Sequence, residues 1–143
     1  MISGPPLPSD AKLLAQFERT KLELDQLREM VEADGLSGRI HEDYFDDQRL
    51  SKSRLQQYRK LMKTAGVSRL VCAGARWHIE FNVAGNGWHD IGNYKGFYYS
   101  PGEQANRAPS LDKDCWSETG KERYCTAARR IEGNWWLLRY QYR

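Results

Sequence analysis

His78 and Glu80 stand two residues apart in Arg76-Trp77-His78-Ile79-Glu80-Phe81-Asn82-Val83. On an extended chain that spacing puts an imidazole and a carboxylate on one face. Such a pair serves as general acid and base in a small hydrolase, and Cys72 supplies a thiolate if a bulge at Gly74-Ala75 brings it near. No oxyanion donor or third orienting residue is recognisable beside them, so a solvated charge ladder on a sheet is the simpler expectation. His89 beside Asp90 has the composition of half a triad, but neighbours on an extended chain point to opposite sides. The run His41-Glu42-Asp43-Tyr44-Phe45-Asp46-Asp47 gathers four carboxylates and an imidazole. It lacks the alternate ligand spacing, turn glycine and closing glutamate of a calcium loop, and reads as a surface loop with Tyr44 and Phe45 anchored in the core. No metal and no cofactor is expected.

A different chemistry is written near the C-terminus, where Arg129, Arg130 and Arg139 interleave with Trp135, Trp136 and Tyr140. Large rigid rings among guanidinium groups are the composition of a protein-binding hot spot, and also of a sheet surface that stacks single-stranded nucleic acid. Charge argues for the first. The net charge is +3; residues 1–66 hold eleven basic and eleven acidic side chains, and residues 67–143 hold eleven and eight. That surplus is too small to imply nucleic acid. The strand bearing Tyr98 and Tyr99 and the long loop after it, Ser100 to Lys121, are the expected contact regions. The binding candidates are therefore Tyr98, Tyr99, Arg107, Trp116 and Arg130.

The elements that must position these groups are legible from period and punctuation. Ser9 or Asp10 caps a helix over residues 10–33, with Leu13, Phe17, Thr20, Leu24, Leu27 and Val31 on one stripe and Asp34-Gly35 as its stop. A linker from Leu36 to Asp47 leads to a second helix, 52–65, capped at Ser51 or Ser53 and ended by Gly66, with Leu55, Tyr58, Met62 and Ala65 on its inner face. From Val67 the period becomes two. Strands are expected at Leu70 to Ala73, Arg76 to Val83, Tyr94 to Tyr99, Tyr124 to Ile131 and Trp135 to Tyr142, with Ala84 to Gly87 and Glu132-Gly133-Asn134 as turns. Helices followed by strands predict an α+β domain over residues 9–143, its helices packed on one face of a four- to five-stranded antiparallel sheet spanning 69–142. The last strand is expected to be central.

The 143 residues suffice for one core. Cys115 and Cys125 flank a polar turn-like stretch that suits a disulfide, leaving Cys72 as a buried thiol. Met1-Ile2-Ser3-Gly4-Pro5-Pro6-Leu7-Pro8 reads as a flexible tether, residues 1–8, of the kind that follows the lipidated cysteine of a bacterial lipoprotein. Four segments, Ile40-His41-Glu42-Asp43-Tyr44-Phe45, Leu55-Gln56-Gln57-Tyr58-Arg59-Lys60-Leu61, Tyr94-Lys95-Gly96-Phe97-Tyr98-Tyr99-Ser100 and Arg130-Ile131-Glu132-Gly133-Asn134-Trp135-Trp136-Leu137, together resemble a group of small, uncharacterised bacterial envelope lipoproteins. The resemblance covers most of the chain and implies a periplasmic or outer-membrane location with a lipid anchor. Its motifs contain no catalytic residue. The resulting expectation is a non-enzymatic protein-binding module of the envelope, an immunity or inhibitor protein being one form, with a hydrolase using His78 and Glu80 as the alternative and nucleic-acid binding third.

Overall fold

The computed structural model describes residues 7–72, 78–88, 91–102, 104, 107–113 and 124–142. Helix α1 runs Asp10–Asp34 and α2 Lys52–Ala65; strands β1 to β6 span Gly38–His41, Arg69–Cys72, Ile79–Trp88, Ile91–Tyr99, Tyr124–Glu132 and Trp135–Tyr142. The class is α+β. All strand pairs are antiparallel, in the order β1-β2-β3-β4-β6-β5.

Both helices begin and end on local chemistry. Ser9 and Ser51 accept hydrogen bonds from the amides of Lys12 and Arg54, and Gly35 and Gly66 close the C-termini in the left-handed conformation that a side chain disfavours. Their apolar stripes are buried as expected: Leu13, Phe17, Leu24, Leu27 and Val31 on α1, and Leu55, Tyr58, Met62 and Ala65 on α2. No helix among the described residues is long and apolar enough to cross a membrane.

The sheet has six strands rather than four or five. The additional one is β1, inside the expected linker; it pairs with β2, and Phe45 bridges back to Ile40 along its outer edge. Four residues are too few for a period to register. The stretch Ala84 to Gly87, expected as a turn, instead continues β3, which pairs with β4 as far as Trp88 and Ile91. A bulge between Asn82 and Ala84 shifts the register, and β4 answers it with glycine. A Cβ on Gly96 would lie 2.2 Å from the Phe81 carbonyl oxygen.

The helices cover one face only. Under them lies a ladder running straight across the sheet, Ile40, Leu70, Phe81, Phe97 and Leu137. Beside it Trp135 packs against Phe17, Phe81 and Tyr99 with ring centroids 5.0–5.6 Å apart. Strand β6 is interior, between β4 and β5. Its helix-facing residues change character along its length. Trp135 and Leu137 join the apolar core, whereas Arg139 and Gln141 are buried too, and the Leu111 carbonyl accepts from Arg139. Here the cover is the 107–113 segment. Lys95, 1% exposed, forms ion pairs with Asp10 at 2.8 Å and Asp112 at 3.2 Å, while Arg129 reaches Asp10 at 3.0 Å. The Leu111 amide donates to the same Asp10 carboxylate. This cluster ties the first turn of α1, two strands and the long loop together.

Candidate functional site

The face of the sheet opposite the helices carries a second straight ladder, and it contains most of the chemistry singled out above. Successive cross-strand partners are Arg39, Val71, Glu80, Tyr98, Trp136 and Arg130, one from each strand. Directly opposed residues in antiparallel pairs share a face and touch, so six segments distant in sequence form one row.

Two of the expected binding residues, Tyr98 and Arg130, stand in this row, and a third, Arg107, lies beside it. Arg130 and Arg107 place their guanidinium carbons 5.1 and 5.9 Å from the Trp136 ring centroid, and Tyr98 is the cross-strand neighbour of Trp136. Trp136 is fully buried although no helix covers it, and its indole N–H has no hydrogen-bond partner among the described residues. Arg107 arrives by a parallel bridge to Ala128, where the Ala108 amide donates to the Ala128 carbonyl along the free edge of β5. Tyr99 faces the other way, edge-on to Trp135 and beneath the Arg28 guanidinium. Trp116 and Cys115 lie outside the described residues, as do His89 and Asp90.

His78 does not pair with Glu80. Its Nδ1 lies 2.7 Å from the Tyr98 hydroxyl and 2.9 Å from Ser100 Oγ, and Gln104 donates to Ser100 Oγ. Neither Tyr98 nor Ser100 was singled out as a partner for His78 from sequence; the alternation of Tyr98 and Ser100 at the end of β4 is the signal that places both on this face. One ring nitrogen has one in-plane hydrogen-bonding direction, so the two hydroxyls share it. Ser100 is fully buried.

Glu80 is half-buried in the ladder, and it accepts no hydrogen bond from a described residue. Burial pushes its carboxyl pKa up, and the Arg69 charge opposes that only in part. The expected thiolate fails on geometry and on electrostatics. Cys72 sits in the helix-side core, on the sheet face opposite His78 and Glu80, and burial pushes its thiol up to about 12.

Next to Glu80 the face dips into a cavity of about 260 Å³ lined by Arg39, Arg69, Val71, Glu80, Asn82, Tyr94 and Tyr140. The Arg69 guanidinium lies over the Tyr94 ring at 4.4 Å, and with the Asn82 amide turned to receive it, Asn82 Oδ1 accepts from Nε and Nη2, each at 3.1 Å. Arg39 is engaged by Asp46 at 2.9 Å.

The acidic run 41–47 is dispersed rather than convergent. Asp46 pairs with Arg39, while Asp47 accepts from the Ser37 and Arg49 amides and the Arg49 side chain. Tyr44, expected in the core, is exposed and stacks on His41 at 5.0 Å. Among the described residues no group of three or more His, Cys, Asp or Glu side chains is placed to hold a metal.

Comparison with protein-family models, with curated proteins and with solved structures returns no match.

Proposed function

We propose that this chain is a non-enzymatic protein-binding module of the bacterial cell envelope, held through its N-terminal tether, and that it engages its partner with the helix-free face of the sheet. The observation that carries the reading is the row Tyr98, Trp136 and Arg130 with Arg107 beside it. Tyrosine and arginine dominate interface energetics because they bring large rigid surfaces and planar donors at low entropic cost; Trp136, fully buried, backs them from beneath. An immunity or inhibitor role fits a small domain of this kind. A Cys115–Cys125 disulfide and a lipid anchor belong to the same reading, since both suit an envelope location.

The test is affinity capture from envelope extracts, followed by titration of the purified partner against wild type, Arg130→Ala, Tyr98→Ala and His78→Ala. Truncating an interface anchor costs ~2 kcal/mol or more, about a thirtyfold loss of affinity. Unaltered binding by both Arg130→Ala and Tyr98→Ala refutes the face. A second reading, a hydrolase in which His78 acts as base, draws on the 2.9 Å approach of Ser100 Oγ to His78 Nδ1. Loss of function on His78→Ala alone, with the fold intact, selects it.

A further inference from the structure

The cavity beside Glu80 calls for an occupant that the protein-binding row does not explain. Its walls hold one carboxylate without a hydrogen-bond partner among the described residues, two arginines and two tyrosines. A ligand that satisfies Glu80 must bring hydrogen-bond donors. Arg69, whose only described side-chain partners are the neutral Asn82 amide and the Tyr94 ring, disfavours a cationic donor by like-charge repulsion, which leaves a neutral one. At about 260 Å³ the space is just below the ~300–1,000 Å³ of pockets that enclose drug-sized ligands, and it suits a single planar ring system.

We propose that this cavity binds the guanine base of a nucleoside or nucleotide. Guanine is the neutral base that presents two adjacent N–H donors, N1 and N2, to a carboxylate, while its O6 and N7 accept from an arginine. Glu80 takes the first pair of contacts and Arg69 the second. Arg69 is already set for this, since Asn82 and the Tyr94 ring hold the guanidinium plane without consuming all of its N–H groups. Tyr140, the cross-strand neighbour of Tyr94, supplies the remaining aromatic surface for stacking, and Val71 lines the cavity with apolar surface. Adenine, with one donor next to an acceptor on the same edge, leaves one Glu80 oxygen facing a lone pair.

Calorimetric titration of the intact protein with GMP, IMP and AMP tests the assignment. GMP is expected to bind, IMP, which lacks the N2 amine, more weakly, and AMP at least about tenfold more weakly than GMP, the discrimination of one good bidentate contact. Glu80→Gln is expected to remove the preference of GMP over AMP while the protein stays folded by circular dichroism. Absence of GMP binding at millimolar concentration overturns the proposal, as does equal binding of GMP and AMP, or a preference that survives Glu80→Gln. A guanine-containing tetranucleotide separates two sources of the base. Affinity more than about tenfold above GMP points to single strands, and affinity equal to GMP points to the free nucleotide. A tetranucleotide that binds without needing guanine counts against the site.

Discussion

Replacing Lys95 by methionine tests the polar cluster that joins α1 to the sheet. The Lys95 ammonium, 1% exposed, lies 2.8 Å from Asp10 and 3.2 Å from Asp112, and it donates to the Pro8 carbonyl at 2.9 Å. Methionine keeps the length of the stem and removes the charge. The Asp10 carboxylate then remains buried, with only Arg129 and the Leu111 amide to hold it. Removing one partner of a buried ion pair costs about 3–5 kcal/mol, most of it the penalty of the charge left behind. With an unfolding entropy of about 0.3 kcal/mol/K for a chain this long, the melting temperature should fall by roughly 10–17 °C. Thermal melts followed by circular dichroism at neutral pH measure it. Hydrogen exchange adds a local reading, since amides at 108–113 and in the first turn of α1 should lose protection before the centre of the sheet. A fall of under about 3 °C, less than 1 kcal/mol on the same scale, would mean that the cluster is relaxed or hydrated, and the argument would fail. The pH dependence has a definite direction. Burial opposes ionisation of Asp10, yet Lys95, the Leu111 amide and Arg129 together hold its carboxyl below the ordinary value of 3.8. Its contribution is therefore present above pH 3.8 and lost as acid titrates it in the folded state, and Lys95→Met should move that loss to higher pH.

Glu80→Gln should stabilise the protein at neutral pH. The carboxyl is raised above 4.5 by burial, so its unfavourable term is absent below that value, grows as pH climbs to the folded-state pKa and persists above it; melts of the two proteins should converge in acid, and parallel curves would contradict this. Trp136→Ala should cost ~3–5 kcal/mol in denaturant unfolding, since the side chain is fully buried between the two arginines. Gln141→Ala should also be measurable, at about 1 kcal/mol, because Gln141 is only 3% exposed. Gly96→Ala should disrupt the β3–β4 pairing, as its Cβ has no room beside the Phe81 carbonyl, and a variant as stable as wild type would place the bulge elsewhere. Mass measurement with and without reductant, on protein made under oxidising conditions, should locate a two-hydrogen difference in a Cys115–Cys125 peptide pair. Reduction should cost roughly 2–3 kcal/mol for so short a loop; free thiols at both positions would remove this support for an envelope location.

Sequence alone determines the local part of this protein. Capping serines and stop glycines delimit both helices, the 3.6-residue period names their buried stripes, and Gly133 at φ 54° turns the terminal hairpin where the glycine and asparagine stand. Each of these depends on residues within a few positions of one another. The two faces of the sheet are different, because alternation says which residues share a face and not which face the helices will cover. Trp136 and Trp135 are equally apolar neighbours; only docking of Phe17 against Trp135 decides that one joins the helix core and the other the arginine row. Strand β1 is too short to announce itself and exists because β2 offers it an edge. Glu80 and Tyr98 become neighbours through a register set by the bulge and Gly96, and His78 finds Ser100 rather than Glu80 for the same reason. Lys95 is a surface residue by type, yet it is buried because Asp10, far away in the chain, comes to meet it. Charge and register are settled by partners distant in sequence, so the candidate sites had to await the tertiary structure.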